Sequence, residues 1–209
     1  TAIVAAAGKS TRMGGPDKLM FPLLGVPVLR RTLLALDGRV DKIVLVASDL
    51  TKASALTKGL QTEVSVVVGG ATRTESVRAG LDAAEGTRIV LVHDGARPLV
   101  SADLIVRCIE SARIYGSGVA AVRVTDTVKR AREGIVCETI PRDGLFAVQT
   151  PQAFQYALLR DAYAAGYAAT DDAALMEKCG QEVRLVLSDR TNIKITMPED
   201  VMLAEALLS

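Results

Sequence analysis

The sequence contains no tryptophan, one histidine and few aromatic residues, at 3% of its length. With so few aromatic rings there is little for unpaired bases to stack on, which argues against RNA recognition through aromatic platforms. With a single histidine, His93, a two-histidine zinc site cannot form, and any Ser-His-Asp triad would have to use that one imidazole. The cysteines Cys108, Cys137 and Cys179 are odd in number and far apart. They give neither a disulfide framework nor a Cys-x-x-Cys metal site, and read as thiols of a reducing, cytoplasmic compartment. Neither sign of charge dominates: 25 Lys and Arg stand against 24 Asp and Glu, a formal net charge of +1. That balance excludes a bulk electrostatic grip on nucleic acid or on an anionic membrane, so any anion-binding site must be local. No apolar run approaches the roughly 18 residues that cross a bilayer. No basic stretch followed by an apolar segment, as in a secretory signal, opens the chain. Thr1 stands directly inside an apolar run, so a few residues are expected ahead of it.

What is present is a chain of 209 residues, 49% of them hydrophobic, enough for a packed core. Short runs rich in Val, Ile and Ala recur at Ala2–Ala6, Ile43–Ala47, Val64–Val68, Ile89–Val92 and Val119–Val124. They are apolar at consecutive positions, the pattern of strands buried on both faces. Helical patterns lie between them at Val28–Leu36, Arg73–Ala84 and Ser101–Tyr115, the last with Ser101 as N-cap. Strands alternating with helices predict a mostly parallel α/β sheet with right-handed crossovers. Farther on, helices are expected over Pro151–Ala165 and from about Asp171 to Cys179, a strand over Val183–Leu187, and a last helix over Pro198–Leu208. The segment Thr127–Pro141 breaks the alternation. Two strand-like pieces flank Glu133-Gly134, and one of them is strongly basic. This reads as a hairpin arm that packs either on a second subunit or on its own domain.

Three stretches could carry chemistry. The first, Ala5-Ala6-Ala7-Gly8-Lys9-Ser10-Thr11-Arg12-Met13-Gly14-Gly15, follows the first strand. Small residues and glycines allow the backbone to approach a ligand and turn its N–H groups toward an anion, and Lys9, Arg12 and Lys18 add positive charge. Gly8-Lys9-Ser10-Thr11 looks like the end of a Walker A loop, but Ile3 stands where the required first glycine would be. The second stretch is His93-Asp94-Gly95-Ala96-Arg97-Pro98, at the end of an apolar strand. A carboxylate there can hold Mg²⁺ that is already bound to phosphate, and Arg97 can reach a second phosphate. His93 itself reads as a satisfied strand-end histidine. The third stretch, Gly69-Gly70-Ala71-Thr72-Arg73-Thr74-Glu75-Ser76-Val77, again closes a strand with glycines, and Gly70 and Ser76 can offer partners to a base edge.

Taken in series, the motifs resemble a known family. They are Ala6-Ala7-Gly8-x-x-x-Arg12-Met13 with Lys18, Gly69-Gly70-x-x-Arg73-x-x-Ser76-Val77-x-x-Gly80-Leu81, Val92-His93-Asp94-x-Ala96-Arg97-Pro98, Gln149-Thr150-Pro151-Gln152-x-Phe154, Thr170-Asp171-Asp172, and Asn192-Ile193-Lys194-Ile195-Thr196-x-Pro198-Glu199-Asp200. Together they resemble the 2-C-methyl-D-erythritol 4-phosphate cytidylyltransferases, from the first strand to the last helix. The resemblance implies a single Rossmann-like nucleotidyltransferase domain over residues 1–209. Its β-arm insertion, at about 125–146, would hook two subunits into a homodimer. It implies transfer of CMP from CTP to the methylerythritol phosphate with release of pyrophosphate, assisted by Mg²⁺. By position, Ala6, Ala7, Gly8, Gly70, Arg73 and Ser76 would contact CTP. Arg12, Lys18 and Lys194 would be catalytic, and Asp94 would serve the metal and the nucleotide. Arg97, Thr127, Thr170 and Lys194 would hold the sugar phosphate, with Arg142 and Thr150 supplied by the partner subunit.

The chain departs from the commoner pattern at Gly8-Lys9-Ser10, where a second glycine often stands two positions after the first. Pro16-Asp17-Lys18-Leu19 makes Lys18 an inferred equivalent, and Gly95 replaces a more usual alanine. A ribitol 5-phosphate cytidylyltransferase would share the nucleotide loops, and a nucleotide-binding regulatory module would share them without turnover.

Overall fold

The computed structural model describes residues 1–8 and 17–208. In chain order the first half contains β1 (Ala2–Ala6), β2 (Pro22–Leu23), β3 (Val26–Pro27), α1 (Val28–Leu36), β4 (Lys42–Ala47), α2 (Leu50–Thr57), β5 (Glu63–Val68) and α3 (Arg73–Asp82). The second half contains β6 (Ile89–Asp94), α4 (Ala102–Tyr115), β7 (Ser117–Arg123), β8 (Val128–Arg132), β9 (Ile135–Ile140), β10 (Phe146–Gln155), α5 (Tyr156–Ala164), α6 (Asp172–Lys178), β11 (Leu185–Leu187) and α7 (Pro198–Leu208). Seven strands form one sheet in the order β11-β7-β10-β6-β1-β4-β5. Six run parallel, and β10 alone runs against both of its neighbours.

Consecutive apolar residues in the strands serve opposite faces, because side chains alternate across a sheet. Ala2, Val4, Ile43, Leu45, Leu91 and Ala120 pack with Leu33 of α1, Ala53 of α2, Ile105 of α4 and Ala204 of α7. Ile3, Val44, Val46, Val92, Val119 and Phe154 face the other way, onto Leu81 of α3, Leu159 of α5 and Met176 of α6. The sheet is therefore covered by helices on both sides, as the unbroken apolar runs predict. Caps set several helix starts. Ser101 accepts a hydrogen bond from Leu104 N at α4, Asp171 from Ala174 N at α6, and Thr72 with Glu75 forms a capping box at α3.

The segment 146–155 corrects one expectation. No helix starts at Pro151: Thr150 and Pro151 lie inside β10, and α5 begins at Tyr156. The Thr150–Pro151 peptide bond is cis. The pairing of β10 with β7 shifts register between Val148 and Gln152, so the proline sits where its missing N–H breaks no regular ladder. Ala153 and Phe154, just beyond it, enter opposite core faces. Two elements had no expectation attached: α2, capped by Asp49, and the short β2–β3 pairing.

The strands β8 and β9 pair only with each other among the described residues, as a ribbon apart from the main sheet. Their turn falls at Glu133 and Gly134, both at positive φ, the geometry of the tight turns that suit twisted hairpins. Ile135 and Val136 on this arm are 72% and 56% exposed.

Candidate active site

Parallel strands place their carboxyl ends at one end of the sheet, where open α/β folds bind ligands. Ala5 pairs with Asp94, Ala6 with Ala47, and Ala47 with Val68, so the turns after β1, β5 and β6 emerge side by side. Gly69 N donates to Ala47 O at 3.0 Å. A Cβ on Gly69 would lie 2.2 Å from the Ala7 Cβ and 2.9 Å from Ser76 Oγ. Only glycine permits that contact between the turn after β5 and the turn after β1. Ser76 is buried, and its hydroxyl donates to Thr72 O at 2.9 Å, leaving its oxygen as an acceptor.

Asp94 ends β6 and is 9% exposed. Its Oδ2 lies 2.8 Å from Lys194 Nζ and 3.6 Å from Arg97 Nε. Burial alone would raise its pKa, but Lys194 foremost, with Arg73 and Arg97, holds the carboxyl below its ordinary range. Asp94 is thus a buried anion ringed by three cations. Lys194 reaches it, from a hundred residues away, because the segment after β11 is laced to the turn after β6. Arg97 Nη1 donates to Asn192 O at 2.7 Å, Ile195 N donates to Ala96 O at 2.8 Å, and Asn192 Nδ2 donates to Gln149 Oε1 and Thr150 O, both at 2.9 Å.

His93 is completely buried between Thr150 Oγ1 at 3.1 Å and Arg97 O at 3.2 Å. Burial lowers its pKa to about 4, so the ring is neutral near pH 7, the satisfied histidine that its strand-end position suggests. Cys108 is likewise no nucleophile, since burial pushes its thiol up to about 12.

Arg73, in the first turn of α3, donates to Asp172 Oδ2 at 2.6 Å, and Tyr163 Oη donates to Asp172 Oδ1 at 2.5 Å. Gln152 Nε2 donates to Asp171 Oδ2 at 2.9 Å. These bonds fasten the Thr170–Asp172 turn between β10 and α3 and leave Thr170 itself exposed.

The structure gathers Ala6, Ala7, Gly70, Ser76, Arg73, Asp94, Arg97, Thr150 and Lys194 at this end of the sheet, with Thr170 on the neighbouring turn. Gly8 follows Ala7 and is exposed. Arg12 lies outside the described residues. Lys18 is half-buried and contributes to the field at Asp200, the carboxylate bound to Thr196 and Met197 at the start of α7. Thr127 and Arg142 are exposed at the arm, and Arg142 Nη1 donates to Thr125 O. Among the described residues, no hydrogen bond or ion pair joins either one to Asp94, Arg97 or Lys194.

Thr150, expected at a partner's site, is 4% exposed, and its hydroxyl accepts from Asp94 N of its own chain. Asp172 and Asn192 stand in the motifs without a role. Their partners lie 99 and 95 residues away at Arg73 and Arg97, so only their polarity among apolar neighbours marked them. A cavity of about 870 Å³ lined by Thr1, Arg39, Arg88 and Arg113 opens at the opposite, amino end of the sheet, away from all these groups.

Glycine turns and a cation-ringed carboxylate at the carboxyl ends of a mostly parallel sheet suit an α/β nucleotidyltransferase, the class to which the matching family belongs. The whole chain, residues 1–209, matches the model of the family IspD: 2-C-methyl-D-erythritol 4-phosphate cytidylyltransferase. The curated relative of that name from Dehalococcoides mccartyi strain CBDB1 is 43% identical over 215 residues, covering 99% of this chain and 95% of the relative. The crystal structure of 4-diphosphocytidyl-2C-methyl-D-erythritol synthase from Anaerococcus prevotii superimposes with a TM-score of 0.88 at 32% identity, over 99% of this chain and 96% of that one. The 2-C-methyl-D-erythritol 4-phosphate cytidylyltransferase from Thermus thermophilus gives a TM-score of 0.84 at 35% identity, over 100% and 98%. The chain belongs to the 2-C-methyl-D-erythritol 4-phosphate cytidylyltransferase family.

Proposed function

We infer that this chain transfers CMP from CTP to 2-C-methyl-D-erythritol 4-phosphate, giving 4-diphosphocytidyl-2-C-methyl-D-erythritol and pyrophosphate, a step of isoprenoid precursor synthesis. Besides family membership, the observation that carries this reading is the buried Asp94 carboxylate within 2.8 Å of Lys194, flanked by Arg97 and beside two glycine turns. An oxygen of the acceptor phosphate attacks the α-phosphorus of CTP in line. The bond from that phosphorus to the bridging oxygen breaks, and the electron pair leaves with pyrophosphate. A phosphate dianion needs no general base, which suits a site whose one imidazole is buried and neutral. The barrier is the meeting of two polyanions, and fixed cations lower it.

Lys194, Lys18 and Arg12 supply that charge. The turns at Ala6–Gly8 and Gly70, with Arg73 and Ser76, receive CTP. Arg97, Thr170 and Lys194 hold the acceptor phosphate. Among the described residues no three His, Cys, Asp or Glu come together as a metal cage. One carboxylate suffices for Mg²⁺, which takes its remaining ligands from phosphates and water. Asp94 fits that role and would hold the ion, which supplies charge neutralisation on the phosphates when bound. Thr127 joins Arg97, Thr170 and Lys194 at the acceptor phosphate, and Arg142 completes the acceptor site of a partner subunit in a homodimer joined through the arm, where Ile135 and Val136 are exposed. The reducing state implied by the three free thiols suits the cytoplasm.

Pyrophosphate release, measured with CTP and Mg²⁺ against a panel of methylerythritol 4-phosphate and ribitol 5-phosphate, tests the assignment. Turnover on the first acceptor is expected. Turnover on ribitol phosphate alone, or tight CTP binding with turnover on neither, would overturn it.

A further inference from the structure

The chain's only histidine has no part in the chemistry above, yet its ring reaches both ends of the turn that carries Asp94 and Arg97, the Arg97 end directly through Nε2 and the Asp94 end from Nδ1 through Thr150. The Arg97 carbonyl, 3.2 Å from Nε2, can only accept, so Nε2 carries a proton. Nδ1 of the neutral ring is then an acceptor, and the Thr150 hydroxyl at 3.1 Å donates to it. The same hydroxyl oxygen accepts from Asp94 N–H at 3.0 Å. The bonds run in one direction, from Asp94 N–H through Thr150 to His93 and on to the Arg97 carbonyl. The opposite tautomer would set the bare Nε2 against the Arg97 carbonyl oxygen and point an N–H at a hydroxyl already receiving one. All four groups are buried, so none can exchange a lost partner for water.

We propose that His93 is a positioning residue for CMP transfer: as the Nε2–H tautomer it ties the Asp94 end of the turn, through Thr150, to the Arg97 end, and so sets the carboxylate and the guanidinium in register. This rests on the reading that Asp94 and Arg97 serve the substrates. Neighbouring bonds hold the middle of the turn instead: Gly95 N to Ala5 O, Thr32 Oγ1 to Gly95 O, and Ile195 N to Ala96 O. Arg97 N also donates to Asp94 O at 3.1 Å and closes the turn itself. His93 with Thr150 adds a second tie from outside the turn, between the Asp94 N–H and the Arg97 carbonyl.

A single histidine makes the test direct, because a ¹⁵N-labelled full chain gives one pair of imidazole nitrogen signals with no assignment problem. At neutral pH the expected result is a protonated Nε2 and a bare Nδ1, with Thr150→Val shifting the Nδ1 signal and sparing Nε2. Turnover of CTP with methylerythritol 4-phosphate is measured first on the unaltered enzyme, so that a failure of the functional reading shows there. Thr150→Val and His93→Phe, checked for fold by circular dichroism, should then lower kcat roughly tenfold or more, as small misplacements of reacting groups do. KM for CTP should stay within about threefold, because the glycine turns are untouched. Thr150→Ser, which restores the hydroxyl, should recover most of the Thr150→Val loss, whereas His93→Asn, which offers an acceptor to Thr150 but no N–H to the Arg97 carbonyl, should recover only part of the His93→Phe loss. If His93→Phe does not fold, Thr150→Val carries the kinetics and the tautomer is read on the unaltered chain. An Nδ1–H tautomer, or a folded Thr150→Val or His93→Phe enzyme with unchanged kcat, would overturn the proposal.

Discussion

Replacing Asp172 by alanine should destabilise this protein strongly, because it breaks a buried ion pair at the start of α6. The side chain is fully buried, with Arg73 Nη2 at 2.6 Å on one oxygen and Tyr163 Oη at 2.5 Å on the other. Burial works against the charge on Arg73, and Asp172 more than offsets it, holding the guanidinium's pKa above its ordinary value. Alanine would remove both acceptors at once. Breaking a buried pair by removing one partner costs about 3–5 kcal/mol. The Arg73 side chain is 35% exposed and would recover some hydration, while the Tyr163 hydroxyl would be left unpaired in the interior. The balance predicts a loss of about 3–4 kcal/mol, read as a lower urea midpoint. At this chain length that corresponds to a fall in Tm of roughly 6–16 °C. Tyr163→Phe should cost about 1 kcal/mol alone, and much less when Asp172 is already alanine, because the bond it removes is gone. An Asp172→Ala protein within about 1 kcal/mol of the parent would show that the triad holds nothing together and would refute the reasoning.

Other outcomes follow from the same geometry. Lys194→Ala and Lys18→Ala should each lower kcat by roughly 10²–10³ with a smaller change in CTP affinity, whereas a raised KM at full kcat would remove either lysine from the reacting charge. Gly69→Ala would force its new methyl into the Ala7 side chain, 2.2 Å away, and should cost about 1–3 kcal/mol and weaken CTP binding in a direct titration; unchanged affinity would separate that contact from the nucleotide site. Stability should fall in acid for a stated reason. Partial burial would raise the pKa values of Asp37 and Asp200, but N–H donors from Thr62 and Gln61 on the first, and from Met197 and Thr196 on the second, hold both below the ordinary carboxylate range. The unfolded chain then binds protons more readily than the folded one. Their contribution is whole above the unfolded carboxylate pKa of about 4 and is lost as pH drops through the folded values, so Tm should be level from about pH 8 to 5 and decline below about 4. A Tm unchanged down to about pH 2.5 would contradict this.

Much of the sheet was legible in the sequence because a strand covered on both faces writes an unbroken apolar run, and each run has one reading at that length. Helices with their caps inside the local sequence, such as Ser101 for α4 and Pro198–Leu208 for α7, were equally legible. The course of 146–155 was not. Proline at a helix start and proline at a strand irregularity look alike until the neighbouring strands are known, and here β6 and β7 decide. The glycine turns and Asp94 were readable as local chemistry at strand ends. The bonds that hold Arg73 to Asp172, Arg97 to Asn192, and Thr150 to Asp94 cross 99, 95 and 56 residues, distances over which spacing carries no information. The bond of Thr150 to the Asp94 amide was likewise not legible, because it depends on how β10 lies beside β6.

The one reversed strand has a mechanical consequence. β10 leaves the foot of the arm beside Arg142, passes Thr150 under the Asp94 amide, and ends at the far rim of the sheet at Gln155. It links the arm to Asp94 by a short stretch of chain and one hydrogen bond, from Asp94 N to Thr150 Oγ1, and from Gln152 to Phe154 it is paired on both edges. A displacement of the arm along the chain therefore meets Thr150, whose hydroxyl holds the Asp94 amide, before it meets the part of the strand that is paired on both sides.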